Sequence, residues 1–219
     1  MYRLICSCFV VLFSFNVVEA QQVFFFAGPS VSKLYNVQIG SKNYITDFTN
    51  GYGYHAGYGI SILNEDSIKM LASVRIDHSA GGFNYVKEFE TERQTISGSF
   101  GKTTLGICAG AEPFKIMGLF ETSAELQCNV RLQTTVSGYD VKHNDTLILS
   151  EVILQKENTR KFMSFGLAFS IAYPIHKKNN RELLLYYRLY TGLTNELKQV
   201  GTSMKLAQGS LGLMYRFEK

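Results

Sequence analysis

Residues 52–63 alternate large and small side chains along a single segment. The even positions, from Tyr52 to Ile62, are apolar or aromatic, whereas the odd positions from Gly53 to Ser61 carry glycine, His55 or serine. Because successive side chains of a β-strand point to opposite faces, this period of two predicts a strand with one apolar face and one face of small volume. A sheet built from such strands must either bury its apolar faces in a core or turn them toward lipid.

Further segments show related alternation, and short connections alternate with long ones. We predict strands at residues 23–35, 52–63, 68–79, 94–112, 119–134, 162–174, 183–193 and 204–217, long loops at 36–51 and 80–93, and a polar turn at 176–182. This arrangement predicts an all-β fold, a closed antiparallel up-and-down transmembrane β-barrel of eight strands. Pro29 cannot donate to a strand ladder, so we expect a bulge there.

Residues 135–161 are too long for a simple turn and contain apolar triplets at 147–149 and 152–154. We interpret them as an extracellular hairpin that turns near Asn144 and extends the two flanking strands beyond the bilayer. An alternative interpretation counts residues 146–155 as another membrane strand, which gives a ten-stranded barrel.

The N-terminus has the parts of a secretory signal: Arg3, an apolar run over residues 4–15, and Val18-Glu19-Ala20. We therefore divide the chain into a signal peptide, 1–20, and a barrel domain, 21–219. The net charge of +4 includes no clustered basic block, which argues against nucleic-acid binding. Cys108 and Cys128 fall on opposite strand faces, so both thiols are expected to be free.

The polar face decides between a membrane barrel and a soluble one, because both need one apolar and one polar face. In the strand predicted at 162–174 that face holds only serine, glycine and alanine from Ser164 to Ala172, whereas a solvated exterior would carry mixed charges. The narrow interior of an eight-stranded barrel needs such small residues. We therefore expect the apolar faces to meet lipid and the charges to pair inside, as a structural network that plugs the lumen. The predicted network is Lys69, Arg75, Asp77, Glu121, Glu125, Arg131, Arg188 and Arg216.

Aromatic residues support the same orientation. Tyr52 and Tyr54 lie at one end of their strand, and Tyr173, Tyr215 and Phe217 lie at the other end of theirs. Two such groups are typical of the aromatic girdles at the two membrane interfaces.

The closing strand resembles the C-terminal signal by which outer-membrane barrels are recognised for assembly, with apolar residues at alternate positions: Leu211, Leu213, Tyr215 and Phe217. Together with Phe26-Ala27-Gly28-Pro29 and the signal peptide, the mature chain resembles the small outer-membrane β-barrel domain proteins of Bacteroidota, the PorT-like or OmpX/OmpA-like group. The resemblance implies residence in the cell outer membrane and contact with its lipid and with the barrel assembly machinery. It implies no agreed activity. Glu218 and Lys219 depart from the pattern, since the assembly signal usually ends at the aromatic residue.

The sequence signals for a catalytic or metal site are weaker than those for the fold. Glu121 and Glu125 share a strand face and could form an acid–base pair, but arginines on the polar faces favour structural ion pairs. Ser61, His55 and Asp77 could be nominated as a catalytic set but have no local motif. The histidines lack metal-ligand spacing. We therefore expect no catalytic residue, no cofactor, no metal and no enzymatic activity.

The expected role is that of a structural, adhesive or secretion-accessory surface protein that acts through its loops on an extracellular or secretion-system protein partner. Three alternatives remain: a narrow passive channel, a membrane-embedded lipid-modifying enzyme, and a soluble lipocalin-like ligand-binding barrel.

Overall fold

A computed structural model describes residues 22–36, 44–63, 69–88, 93–112, 115–117, 119–143, 146–150, 162–194 and 204–218. Ten strands lie in these ranges: β1 (Gln22–Asn36), β2 (Tyr44–Leu63), β3 (Lys69–Glu88), β4 (Arg93–Glu112), β5 (Lys115–Ile116), β6 (Phe120–His143), β7 (Thr146–Ser150), β8 (Met163–Lys178), β9 (Arg181–Gly192) and β10 (Met204–Glu218). The predicted signal peptide lies outside the described residues. None of the described residues belongs to a helix long and apolar enough to cross a membrane.

Eight of the strands in the described ranges form one closed antiparallel barrel. The hydrogen-bonded order runs β4-β3-β2-β1-β10-β9-β8-β6, and β6 pairs with β4 to complete the ring. The prediction of an eight-stranded barrel is therefore confirmed. The ten-stranded alternative is wrong, because β7 lies off the ring as a short partner of β6.

The hairpins at one end, which we call the loop end, are longer than the sequence pattern predicts. Most of the predicted loops at 36–51 and 80–93 is strand, since β2 begins at Tyr44 and β3 and β4 reach Glu88 and Arg93. β6 continues to His143 and pairs with β7, while the predicted turn near Asn144 and the segment 151–161 lie outside the described residues. About 9–11 residues cross a bilayer. The 20 residues in each of β2, β3 and β4 and the 24 in β6 therefore extend well beyond it.

The opposite end, the short-turn end, has tight connections. β8 runs to Lys178 and β9 starts at Arg181, so the polar turn predicted at 176–182 shrinks to Asn179 and Asn180. Asn179 has a φ of 52°, in the left-handed region that asparagine tolerates better than most residues. A two-residue turn of this kind holds adjacent antiparallel strands in register.

Pro29 produces no bulge, so that expectation was wrong. The β1–β10 register stays constant from the pair Ala27–Leu213 to the pair Ser30–Ser210, and only the pairs between them are missing from the ladder. A Cβ at Gly28 would collide with the backbone of Leu211 on β10. The absent side chain lets the two strands approach closely where proline interrupts the ladder, and the register therefore survives.

A bulge occurs instead in β6. Thr103 pairs with Gln133 and Thr104 with Arg131, which leaves Leu132 as the extra residue. The bulge reverses the side-chain alternation beyond it, so Gln133, which the sequence pattern places on the polar face, is exposed.

The exterior of the barrel is apolar and its interior carries the ions. Leu126 is 63% exposed and Leu213 is 51% exposed, whereas Arg75 is 2% exposed. Tyr52 and Tyr54 are exposed toward the loop end, and Tyr173 and Tyr215 toward the short-turn end. The predicted orientation is confirmed. The soluble-barrel alternative is wrong, because a surface this apolar requires hydrocarbon around it.

Candidate functional site: the barrel lumen

Arg216 of β10 meets carboxylates from three other strands at the short-turn end. Its Nη2 lies 2.6 Å from Glu121 Oε2 and 3.6 Å from Glu112 Oε1, and its Nη1 lies 3.5 Å from Glu182 Oε2. Lys69 Nζ of β3 lies 3.5 Å from Glu112 Oε2. We call these five residues the rim cluster. Because they come from β3, β4, β6, β9 and β10, the cluster links strands on several sides of the ring.

A second group of ions lies deeper in the lumen. Arg75 donates from Nε to Asp77 Oδ2 at 2.8 Å and from Nη2 to Asp77 Oδ1 at 2.9 Å, and Gln127 Nε2 donates to the same Oδ2 at 3.2 Å. Arg188 Nη2 donates to Gln127 Oε1 at 2.7 Å and to Glu125 Oε2 at 2.9 Å. We call these five residues the central network. Its two arginines and two carboxylates balance, which is what a confined, water-poor interior requires of buried charge.

The lumen also contains an apolar layer that the sequence analysis missed. Its members pack together as one cluster inside the barrel: Phe24, Phe26, Leu71, Ala172, Leu184 and Tyr186. The layer contacts the central network directly, since the Arg75 guanidinium lies 5.2 Å from the centre of the Phe26 ring. The phenolic oxygen of Tyr186 hydrogen-bonds with His55 Nε2. The lumen is therefore packed with both ionic and apolar side chains.

The alternation of side chains between the two faces of each strand already indicates this layer. Phe24 and Phe26 share a face of β1 with the buried Ser30 and Ser32, and Leu71 shares a face of β3 with Arg75. An inward-facing aromatic residue is therefore found by extending the alternation from the polar end of each strand, rather than by looking for polar residues alone.

The structure brings seven of the eight predicted lumen charges into the two groups. Lys69, Glu121 and Arg216 fall in the rim cluster, while Arg75, Asp77, Glu125 and Arg188 fall in the central network. Arg131 stands apart from both, and its Nη1 is buried without a hydrogen-bond partner among the described residues. The members that sequence reasoning missed are Glu112, Glu182 and Gln127. Glu182 was hidden because it was assigned to a turn rather than to β9.

The predicted assembly residues lie on the outward face of β10. Leu211, Leu213 and Tyr215 are exposed there, and the Phe217 ring stacks on Phe25 of β1 with 6.0 Å between centroids. β10 pairs with β1 on one side and β9 on the other, so these residues flank the seam where the two ends of the chain meet. Their role in recognition by the assembly machinery stays a prediction.

The residues nominated for catalysis make other contacts. Ser61 Oγ donates to Gln22 Oε1 at 3.2 Å, Asp77 is held by Arg75, and His55 bonds with Tyr186. Within the described ranges, no group of three or more histidine, cysteine, aspartate or glutamate residues is placed to hold a metal ion. Cys108 and Cys128 are both free thiols.

The apolar exterior, the ion-paired interior and the closed ring of eight described strands together define a transmembrane β-barrel of the outer-membrane kind. Comparisons with protein-family models and with curated protein sequences find no match.

Solved structures with similar strand arrangements include small surface barrels. Neisserial surface protein A has 12% identity, with 90% of this chain and 97% of that chain covered and a TM-score of 0.45. The outer-membrane protein OprG from Pseudomonas aeruginosa has 10% identity, with 92% and 98% covered and a TM-score of 0.40. Ail, the attachment invasion locus protein of Yersinia pestis, in complex with the heparin analogue sucrose octasulfate, has 12% identity, with 90% and 98% covered and a TM-score of 0.38. The class assigned to this chain rests on its own strand order and surface.

Proposed function

We propose that this protein is a surface barrel of a bacterial outer membrane whose lumen is closed and whose function is carried by the hairpins at the loop end. The observation that carries the proposal is the packed lumen. Leu184 and Tyr186 both face the barrel interior, where Leu184 is fully buried and Tyr186 is nearly so. An aqueous pore would leave these side chains in contact with water, so the closed lumen argues against a passive channel.

Because the lumen is closed, the strands that extend past the bilayer are the part of the protein that can contact a partner. Residues 44–50 of β2 lie on the loop-end side of the exposed Tyr52, and they pair with β3 over the stretch from Lys87 to Gly81. The pairing of β6 with β7 adds a second projecting hairpin. Rigid paired strands hold the loops at a defined position above the surface, which suits a structural, adhesive or secretion-accessory role with a protein partner. An origin in Bacteroidota and a PorT-like role belong to this proposal.

The experiment that tests the loop-borne role replaces residues 136–150 by a short turn and leaves the rest of β6 intact. Cells that display this variant should lose attachment to a host-cell or partner-cell layer, or lose the secretion that depends on the protein. The purified barrel should still migrate as a compact species before boiling and as an unfolded one afterwards. Unchanged attachment and secretion in cells that display the folded variant would contradict the proposal.

Planar-bilayer recordings test closure of the lumen. The wild-type protein should be silent, whereas Leu184→Ala combined with Tyr186→Ala should give discrete conductance steps, because the two substitutions remove large side chains from the apolar layer. The matched control is Leu185→Ala with Tyr187→Ala, which removes the neighbouring outward-facing pair from the same strand and should remain silent. Steady conductance by the wild-type protein would overturn the proposal in favour of the channel.

Arginine scanning tests the membrane exposure of the outer face. Leu126→Arg should lower the free energy of unfolding in a bilayer by about 2–4 kcal/mol, the cost near the membrane midplane, because β6 carries Leu126 several residues in from the short-turn end. Leu119→Arg, at the rim, should cost about 0–1 kcal/mol. Equal small costs at both positions, measured by denaturant titration, would place this face in water instead.

A further inference from the structure

Arg131 is the predicted lumen charge that joins neither the rim cluster nor the central network. It lies on β6, and its Nη1 is buried without a hydrogen-bond partner among the described residues. The central network already uses its two carboxylates, Asp77 and Glu125, to hold its own arginines. A guanidinium carries five N–H donors in a planar fork, and a buried donor that stays unpaired costs free energy. The position therefore suits an acceptor that the described side chains do not supply.

A second cation, Lys102, lies beside Arg131 in the lumen. Arg131 pairs with the buried Thr104 of β4, and Lys102 lies two residues from Thr104 on the same inward face. The two cations are therefore diagonal neighbours, with Cα atoms about 7–8 Å apart. Lys102 Nζ donates to Ser164 Oγ of β8 at 3.2 Å. Ser164 pairs with Asn129, which lies two residues from Arg131 along β6, so the two positive charges approach each other near the Ser164 hydroxyl.

This cationic pair, Lys102 and Arg131, lies on the loop-end side of the central network. β8 begins at Met163, whose partner is Val130, so Arg131 stands at the level where this side of the ring ends. Lys102 is buried, whereas Arg131 is partly exposed. The central network and the apolar layer close the lumen on the other side of the pair. A ligand therefore reaches the pair from the loop end and not through the barrel.

We propose that Lys102, Arg131 and Ser164 form a binding site for a phosphate group. An arginine fork binds two oxygens of an oxyanion at once, and a lysine binds as a point charge. The fork alone occupies both oxygens of a carboxylate, whereas a phosphate has further oxygens for Lys102 and for the Ser164 hydroxyl. Ser164 accepts its bond from Lys102, so its own hydrogen is left to donate.

The charge of a phosphate group also fits the pair. A phosphate ester carries about −1.5 to −2 charges near neutral pH, which balances two cations in a poorly solvated position. Inorganic phosphate and a phosphate monoester on a larger molecule share this chemistry. The proposal does not depend on what the hairpins at the loop end bind.

Isothermal titration calorimetry of the folded barrel in zwitterionic detergent, with inorganic phosphate as the probe, tests the proposal. The wild-type protein should bind a single phosphate per chain. Arg131→Gln and Lys102→Gln should each weaken binding by roughly tenfold or more, because charge-assisted hydrogen bonds are lost. Arg131→Lys keeps the charge but loses the fork, so its affinity should lie between those of the wild type and Arg131→Gln.

The source of the group is decided by a second titration with glucose 6-phosphate. Binding of this ester identifies a phosphate group carried by a larger molecule, whereas binding of inorganic phosphate alone identifies the free ion. Unfolding gives an independent measurement. Phosphate should raise the urea concentration at which the wild type unfolds and leave that of Arg131→Gln unchanged, because a ligand stabilises only the state that binds it.

Two matched variants act as controls. Lys33→Gln removes an exposed lysine from β1, and Arg181→Gln removes an exposed arginine at the short-turn end, so both should bind phosphate as the wild type does. The absence of binding by the wild-type protein, or equal binding by the wild type and Arg131→Gln, would overturn the proposal.

The compact gel species shows which variants are folded. If Arg131→Gln does not give it, Arg131→Lys and Lys102→Gln carry the test, and wild-type affinity in both of them would overturn the site. The variant shortened at residues 136–150 should keep its phosphate, so a failure of the loop proposal and a failure of this one are distinguishable.

Discussion

Replacing Arg216 by glutamine will lower the free energy of unfolding by about 3–5 kcal/mol, the cost of breaking a buried ion cluster by removing one partner. The Arg216 side chain is 3% exposed and contacts Glu112, Glu121 and Glu182, so the substitution leaves three carboxylates facing one another with little water to screen them. Each carboxylate also has one lysine partner, which is Lys69 for Glu112, Lys115 for Glu121 and Lys177 for Glu182. The side chains of Lys115 and Lys177 are more than half exposed, so water screens their ion pairs far more than it screens those of the buried arginine.

The measurement is urea unfolding in zwitterionic detergent, read by the change in gel mobility between the compact and unfolded species. Arg181→Gln removes an exposed arginine close to the same strand end and should change stability by no more than about 0.5 kcal/mol. Adding Glu121→Gln to Arg216→Gln should recover part of the loss, because one of the repelling carboxylates becomes neutral. A loss below about 1 kcal/mol for Arg216→Gln, or no recovery in the double variant, would show that the cluster does not hold the strands together.

Replacing Gly28 by alanine will disrupt the seam where the chain closes on itself. The added Cβ would meet the carbonyl oxygen of Leu211 and come within 2.6 Å of Gly212 Cα, both on the neighbouring strand β10. Backbone atoms cannot rotate away as a side chain does, so β1 and β10 must separate at the point where Pro29 already interrupts the ladder. The cost should reach or exceed the upper end of the about 1–3 kcal/mol typical of overpacked sites.

This prediction is measured as the fraction of refolded protein that gives the compact gel species. Gly28→Ala should reduce that fraction strongly. Ala27→Val, which adds more volume one position away on the outward face, should leave it close to the wild-type level. Equal yields for the two variants would show that the seam tolerates a side chain at this position and that the close approach is not required for closure.

The alternation of side chains along each strand accounts for most of the correct predictions of which residues face the lumen and which face lipid. Alternation along residues 162–174 assigned Ser164 and Ala168 to the interior and Phe165 and Phe169 to the lipid, and the structure has them so. Where alternation is weak, prediction failed. Residues 80–93 contain Gly81-Gly82 and polar residues in succession, which indicates a loop, yet residues 80–88 and Arg93 belong to the paired ends of β3 and β4. In a projecting hairpin both faces meet water, so no difference between faces marks the strand.

The amino-acid pattern by itself determined that this chain forms amphipathic strands, and that their polar faces, too small and too uncharged for a solvated exterior, turn inward. Tertiary structure alone decided which charges meet. Arg216 contacts Glu112, Glu121 and Glu182, which lie on three other strands, β4, β6 and β9. The bulge at Leu132 reverses the side-chain alternation beyond it. The physical reason is that alternation specifies the side to which a residue points. The height at which it meets its neighbours depends on strand register and on the stagger of the closed ring.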